Sequence, residues 1–193
     1  MEKQKIDILI VGVGGQGTIL AGKIISRLGL ENGLDVKLSE THGMAQRGGS
    51  VITHVRLGKK VFSPLNSIGE VDYLVAFEQL EALRWLPYLG PKGTAIVNTQ
   101  KIYPLPVLTG TQKYPEDVLT TIQKNAHRTI FINVMQETSA KMNPRTANVV
   151  LIGTLASLLK FPRKEWEKVL ANTVPKKTLS LNLKAFGEGF NYR

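Results

Sequence analysis

The chain has 193 residues, 42% hydrophobic and 21% charged, with 25 Lys and Arg against 15 Asp and Glu for a formal net charge of +10. That length and balance fit one globular domain able to bury its own core. Cysteine is absent, which excludes disulfides, a thiol nucleophile, thiolate-held zinc and a cysteine-ligated iron–sulfur cluster.

Lys5 to Val13 (KIDILIVGV) is a nearly continuous apolar run, as expected of a parallel strand covered on both faces. The glycine-rich segment Gly12-Val13-Gly14-Gly15-Gln16-Gly17 overlaps its end. A helix is predicted from about Thr18 to Leu28, because Ala21, Ile24, Ile25 and Leu28 fall on one face. Gly29 and Gly33 are read as its end and the turn beyond it. Asp35 to Glu40 follows as a second strand. Ser50 to Leu57 (SVITHVRL) alternates, is rich in β-branched residues and reads as a third. The link between these two strands is only about nine residues, too short for the crossover that parallel neighbours need. The third strand is therefore expected to run antiparallel or to leave the doubly wound pattern. Gly58-Lys59-Lys60 reads as a tight turn into Val61-Phe62.

An α/β alternation then resumes. Strands are expected at Tyr73–Phe77, Thr94–Asn98 and Arg128–Val134, with helices at Leu80–Leu86 and Pro115–Asn125 and a proline-bearing loop, with or without one short strand, at Tyr103–Gly110. The rest reads as helical: a strongly apolar helix at Thr146–Leu159, one opened by Pro162, and a last one opened by Pro175 and reaching about Phe186. The fold class expected is α/β, Rossmann-like, with a mostly parallel sheet, an antiparallel strand or hairpin insertion and a helical C-terminal extension. The whole chain, 1–193, is read as one domain, with an α/β core over 5–160 and a basic helical tail over 161–193.

From Lys160 onward eight Lys and Arg stand against three Glu, so half of the net charge of +10 lies in that tail. The bland reading is a solvated face, and the functional one is an acidic protein partner. Basic runs are no longer than pairs, and no aromatic platform accompanies them, so no nucleic-acid role is expected. No apolar run reaches the roughly 18 residues of a membrane span, and the polar start lacks the apolar stretch of an export signal. A cytoplasmic protein without a membrane anchor is expected.

Two segments carry chemistry. A GxGxxG loop between a strand and a helix aims backbone N–H groups and the positive helix end at a point where an anion can sit. Alternatively, its glycines serve only close packing of helix on sheet. Glu40 lies 23 positions after Gly17, near where a dinucleotide domain keeps its ribose-binding acid. The second segment, Glu40-Thr41-His42-Gly43-Met44-Ala45-Gln46-Arg47-Gly48-Gly49-Ser50, follows the carboxyl end of the second strand, where open α/β sheets bind ligands. Arg47 is suited to a bidentate grip on a carboxylate or phosphate. His42 is read either as a hydrogen-bonded surface residue or as taking a direct part, whereas His54 and His127 read as structural. No histidine pair has helix-face ligand spacing, so no metal site is expected. A stand-alone NAD(P)-binding reductase is the alternative reading, weakened because no crossover helix follows the second strand and no second domain is evident.

GVGGQGTILAGKII followed by ETHGMAQRGGSVITHVR resembles the small (beta) subunit of indolepyruvate:ferredoxin oxidoreductase, equivalent to the gamma subunit or domain of pyruvate and other 2-oxoacid:ferredoxin oxidoreductases. The family's shared positions fall on Gly12, Gly14, Gly15, Gln16, Gly17, Arg47 and Gly48, and Thr41-His42-Gly43-Met44 leans toward the indolepyruvate branch. The resemblance implies a subunit, not catalytic alone, of a complex that oxidatively decarboxylates a 2-oxoacid with coenzyme A and passes electrons to ferredoxin. Thiamine diphosphate and [4Fe-4S] clusters are then expected in a large partner subunit, coenzyme A at the interface, and self-association is an open possibility. On this reading Gly12, Gly14, Gly15, Gln16 and Gly17 form an anion, cofactor or interface loop. Glu40, Thr41, His42, Gln46, Arg47, Gly48 and Gly49 shape a substrate channel or a partner contact.

Overall fold

A computed structural model of the chain describes residues 5–43, 49–139 and 144–192. Six strands are hydrogen-bonded into one sheet: β1 (Lys5–Val13), β2 (Asp35–His42), β3 (Ser50–Gly58), β4 (Val71–Ala76), β5 (Leu89–Asn98) and β6 (Arg128–Ile132). Their order is β2-β3-β1-β4-β5-β6. β1 pairs in parallel with β4, β4 with β5 and β5 with β6, whereas β3 pairs antiparallel with both β1 and β2. The antiparallel third strand expected from its short connection is present, and it stands in the middle of the sheet's first half.

Side chains alternate along each strand, so the two faces bury different cores. Ile8 and Ile10 of β1 join Val55, Val75 and Ile96 on one face, while Leu9 and Val11 join Leu74, Ala95 and Val97 on the other. The first face is covered by α1 (Thr18–Glu31) and by three C-terminal helices, α6 (Ala147–Leu158), α7 (Arg163–Thr173) and α8 (Leu179–Phe190). The second is covered by α2 (Gln79–Trp85) and α4 (Val118–Asn125). Two one-turn α-helices follow β5 and β6, α3 (Leu105–Leu108) and α5 (Val134–Glu137). Among the described residues no helix is long and apolar enough to cross a membrane.

Several boundaries moved for identifiable reasons. α1 runs on to Glu31 because Gly29 is helical rather than terminal. A Cβ there would stand 2.8 Å from both Leu57 and Val36, so the glycine lets helix meet sheet, and Gly33, at φ +71°, makes the turn. α4 begins at Val118 instead of Pro115, with Asp117 in the left-handed region at φ 56° as the residue before it. The segment read as a strand through Val134 divides into β6 and the one-turn α5. Tyr103–Gly110, expected as a loop, contains α3.

The helices after residue 160 are part of the main core: Trp166 and Phe186 are fully buried in the same cluster as Ile8 and Ile24. α6 and α8 touch backbone to backbone. A Cβ at Gly153 would overlap Phe186 O, and one at Gly189 would overlap Val150 O. Thr154 Oγ1 spans the same contact, donating to Val150 O at 3.2 Å or Gly189 O at 3.1 Å. At the end of α8, the Tyr192 hydroxyl donates to Phe131 O on β6 at 3.1 Å.

The loop from β3 to β4 joins two oppositely directed strands at the amino end of β1 and so needs no crossover helix. It is held by buried polar groups. Arg56 pairs with Asp7 at 2.8 Å and donates to Leu65 O at 2.7 Å. Asn66 donates its backbone N–H to His54 Nδ1 at 3.2 Å and its side-chain amide to Ile8 O at 2.8 Å. Burial, with a smaller contribution from the Arg56 charge, holds the His54 pKa below its ordinary value. His54 must be neutral to accept from Asn66.

Two outcomes follow. Gly189→Ala forces α8 away from Val150, and overpacking of this kind costs about 1–3 kcal/mol; urea unfolding should show the midpoint fall without a change in slope. Because the folded pKa of His54 is depressed, its contribution to stability is present above the ordinary value of 6.5 and is lost as pH falls below it. An NMR titration should place the His54 midpoint under 6.5, and stability should decline over the same acid range less steeply in His54→Gln.

Candidate functional site

β1 is buried as far as Val13, and its chain then emerges at the carboxyl edge of the sheet as the glycine loop. Gly15 is exposed at φ +96° and Gly17 adopts φ +86°, backbone conformations that side chains rarely take. Gln16 fixes the loop from within. Its Oε1 accepts the Val13 N–H at 2.8 Å and its Nε2 donates to Phe77 O, just past β4, at 3.0 Å. The same carbonyl accepts from Asn98 Nδ2 at 3.1 Å, so the ends of β1, β4 and β5 are tied together by side-chain amides. Gly12 is required by proximity: a Cβ would lie 2.8 Å from Gln16 Oε1 and 3.1 Å from the Phe77 side chain.

The second segment meets this loop directly. Gly14 donates its N–H to Gly49 O at 2.9 Å, and Gly43 N–H donates to Ser50 O at 2.8 Å, closing the β2–β3 hairpin. Ser50 Oγ donates to Glu81 Oε2 at 2.5 Å, and Glu81 in turn holds Arg84 at 2.9 Å, which attaches the start of β3 to α2. Glu40 and Thr41 lie on β2, paired with Thr53 and Ile52 of β3. In a dinucleotide domain the second strand, with its acid, adjoins the first; here β3 stands between them. The side chain of His42, and residues 44–48 with Gln46, Arg47 and Gly48 among them, lie outside the described residues.

On the other side of the glycine loop a cavity of about 510 Å³ opens toward the start of α6. Gln16 and Gly17 line it with Gln100, Ile102, Arg145 and Asn148. Asn148 is only 5% exposed, and its Oδ1 has no hydrogen-bond partner. Its Nδ2 lies so near Gly17 that a Cβ there would overlap it. No side chain caps α1 and no acid occupies its first turn, so its leading N–H groups and positive dipole end face this region. A buried acceptor, a helix amino end and the guanidinium of Arg145 suit a ligand that is anionic and also donates a hydrogen bond. Among the described residues no three His, Asp or Glu side chains converge as metal ligands.

Glu78, only 1% exposed, stands beside the cavity wall and caps α2 by accepting the Glu81 N–H at 2.9 Å. It also accepts from Ile102 N at 3.2 Å and the Tyr114 hydroxyl at 3.1 Å, fixing the segment after β5. Burial raises its pKa, opposed in part by these donors, and burial with the adjacent carboxylate raises that of Tyr114.

A family model described as pyruvate ferredoxin/flavodoxin oxidoreductase matches residues 7–192. The chain belongs to that family. The indolepyruvate oxidoreductase subunit IorB of Archaeoglobus fulgidus is 39% identical over 191 residues, which is 97% of this chain and 94% of that protein. IorB of Thermococcus kodakarensis is 36% identical, covering 96% of this chain and 95% of that one. The fold matches, at a TM-score of 0.74 and 22% identity, the 2-oxoglutarate:ferredoxin oxidoreductase of Magnetococcus marinus solved with 2-oxoglutarate, coenzyme A and succinyl-CoA bound. That match spans 98% of this chain but 31% of the other, so the same fold there is part of a longer polypeptide. The chain is thus an IorB-like subunit of the 2-oxoacid:ferredoxin oxidoreductase type.

The sequence singles out the glycine loop and the Glu40–Ser50 segment as candidates but not the cavity wall opposite the glycine loop. Asn98, Gln100, Arg145 and Asn148 belong to no local motif and meet only when β5 and α6 are placed. One signal was present: Asn148 is the lone amide, in the first turn, of a helix whose other polar side chains are the hydroxyls of Thr154 and Ser157.

Gln16→Ala removes both bonds that pin the glycine loop. At about 1 kcal/mol for each hydrogen bond, it should lower stability by about 1–2 kcal/mol in urea unfolding. Gln16→Glu keeps the acceptor for Val13 but sets a carboxylate oxygen against the Phe77 carbonyl, so it should lose at least as much as Gln16→Ala.

Proposed function

We propose that this chain is the small subunit of an indolepyruvate-type 2-oxoacid:ferredoxin oxidoreductase, and that the cavity between its glycine loop and α6 receives the anionic part of coenzyme A at the interface with a large partner subunit. The holoenzyme converts a 2-oxoacid and coenzyme A to an acyl-CoA and carbon dioxide, with the electrons passing to ferredoxin. The partner holds thiamine diphosphate and [4Fe-4S] clusters, a division that fits a chain with no cysteine. Thiamine diphosphate supplies the carbanion-stabilising chemistry when bound.

The observation that carries the reading is Asn148: a buried amide with an unpaired oxygen, facing a cavity lined by Gln16 and by Gly17, the residue that precedes α1. A buried acceptor left without a donor costs about 1–3 kcal/mol, so a ligand N–H or O–H that reaches it recovers that energy. The α1 amino end and Arg145 would hold a phosphate by charge and by backbone donors. The Glu40–Ser50 segment, joined to the glycine loop through Gly14 and Gly49, faces the partner, with Arg47 as an anion anchor or an interface contact. The chain thus binds and orients, and performs no bond-making step of its own.

The test is reconstitution with the thiamine- and cluster-bearing partner, followed by coenzyme A-dependent ferredoxin reduction. Indolepyruvate should be turned over in preference to 2-oxoglutarate. Asn148→Leu should raise the KM for coenzyme A by about tenfold or more while assembly and the KM for the 2-oxoacid stay within about twofold. An unchanged coenzyme A KM in both Asn148→Leu and Arg47→Ala would remove coenzyme A from this surface.

A further inference from the structure

The glycine loop and its cavity occupy the carboxyl edge of the sheet. The β3–β4 loop presents a different surface that this site does not use. It leaves β3 at Gly58, opposite Lys5 at the start of β1, and rejoins the sheet at Val71. Both ends are therefore at the amino edge. Within it Phe62 is 85% exposed, Ile68 69% and Leu65 53%. Single exposed apolar residues are ordinary, but three large ones within seven positions are not.

The anchoring gives these side chains their significance. A loose loop would shed such residues into whatever cover it could find. This loop is fixed at several points. The Val61 N–H is held by Asp35 at 2.8 Å, the Leu65 carbonyl by Arg56 at 2.7 Å, Asn66 by His54 and Ile8, and the Gly69 N–H by Pro87 O at 3.0 Å. Arg56 is itself held at 2.8 Å by the fully buried Asp7. Breaking such a buried pair would leave an uncompensated charge, so Asp7 holds Arg56, and through it the Leu65 carbonyl, in one arrangement. The arrangement fixed here points Phe62, Leu65 and Ile68 at solvent, so their ordering is complete before any partner arrives.

Charge indicates what kind of partner fits. Lys59 and Lys60 are exposed beside the apolar residues, and the Lys60 ammonium lies 5.0 Å from the Phe62 ring centre. Glu70, at the far end, is paired with Lys5 at 3.7 Å. A second copy would bring two such basic loops, on chains of net charge +10, toward one another.

We infer that this preordered loop is a docking surface for an apolar pocket rimmed by carboxylates on the large partner subunit. The inference rests on the subunit role proposed above and adds a second contact, at the sheet edge opposite the cavity. Phe62 is the anchor that enters the pocket, and Lys59 and Lys60 meet its rim.

The test uses the chain co-expressed with the thiamine- and cluster-bearing large subunit. Phe62→Asp/Ile68→Asp should weaken assembly by at least about tenfold in size-exclusion and titration measurements, while its unfolding midpoint stays at the wild-type value because both side chains are exposed. Lys59→Glu/Lys60→Glu should slow association, with the difference shrinking as salt is raised. Full-strength assembly of the Phe62→Asp/Ile68→Asp variant overturns the inference and leaves the cavity reading intact. It is also overturned if the wild-type chain alone dimerises and that variant abolishes only the dimer. A wild-type chain that forms no complex defeats both proposals.

Discussion

The bond from the Gly14 N–H to Gly49 O joins the two segments on which the candidate site is built, and it exists because β3 runs antiparallel beside β1. A parallel neighbour would have needed a crossover helix after β2, and the Glu40–Ser50 segment would have become the start of that helix. With β3 inserted in reverse, β2 and β3 form an antiparallel pair, and Ser50 at the start of β3 is set opposite Val13. The glycine loop is then bounded on one side by this pair and on the other by Gln16, which reaches across to Phe77 at the end of β4. The surface is assembled by neighbours of β1 on both flanks, and no one element carries it.

Much of this was legible in the chain because it is local. A strand buried on both faces, a glycine loop and an amphipathic helix follow one another in sequence, and each has a periodicity of its own. The reversed third strand could be read from the length of one connection. What could not be read depends on distance along the chain. Asn148 stands against Gly17 only after the sheet has been covered and α6 packed on it. Gly29 looked like a helix terminator because glycine often ends helices, but its actual constraint is the approach of Leu57 and Val36 from two different strands. Asp7 and Arg56 sit opposite one another by register, and nothing in either segment alone shows that the pair fixes a third segment, the β3–β4 loop.

The C-terminal helices show the same limit from another side. Their charge made them look like an appendage, and the basic residues are indeed on their outer faces. Yet Trp166 and Phe186 point the other way and are sealed in the principal core. A helix with a strongly charged face and one or two large aromatics on the opposite face buries those aromatics wherever it docks, and a net count of charges does not reveal the dock.

The contact of α6 with α8 has a bearing on the cavity at some distance from it. Asn148 and Gly153 belong to the same helix, five residues and about 7.5 Å of axial rise apart, so α6 acts as a stiff rod between them. Its rear is seated against the carbonyl of Phe186, where no side chain intervenes to cushion it. The width of the cavity is therefore gauged from behind: a single methyl group added at the seat would tilt the rod and carry the Asn148 amide with it. Relatives that keep this cavity at the same width should then keep glycine at both 153 and 189.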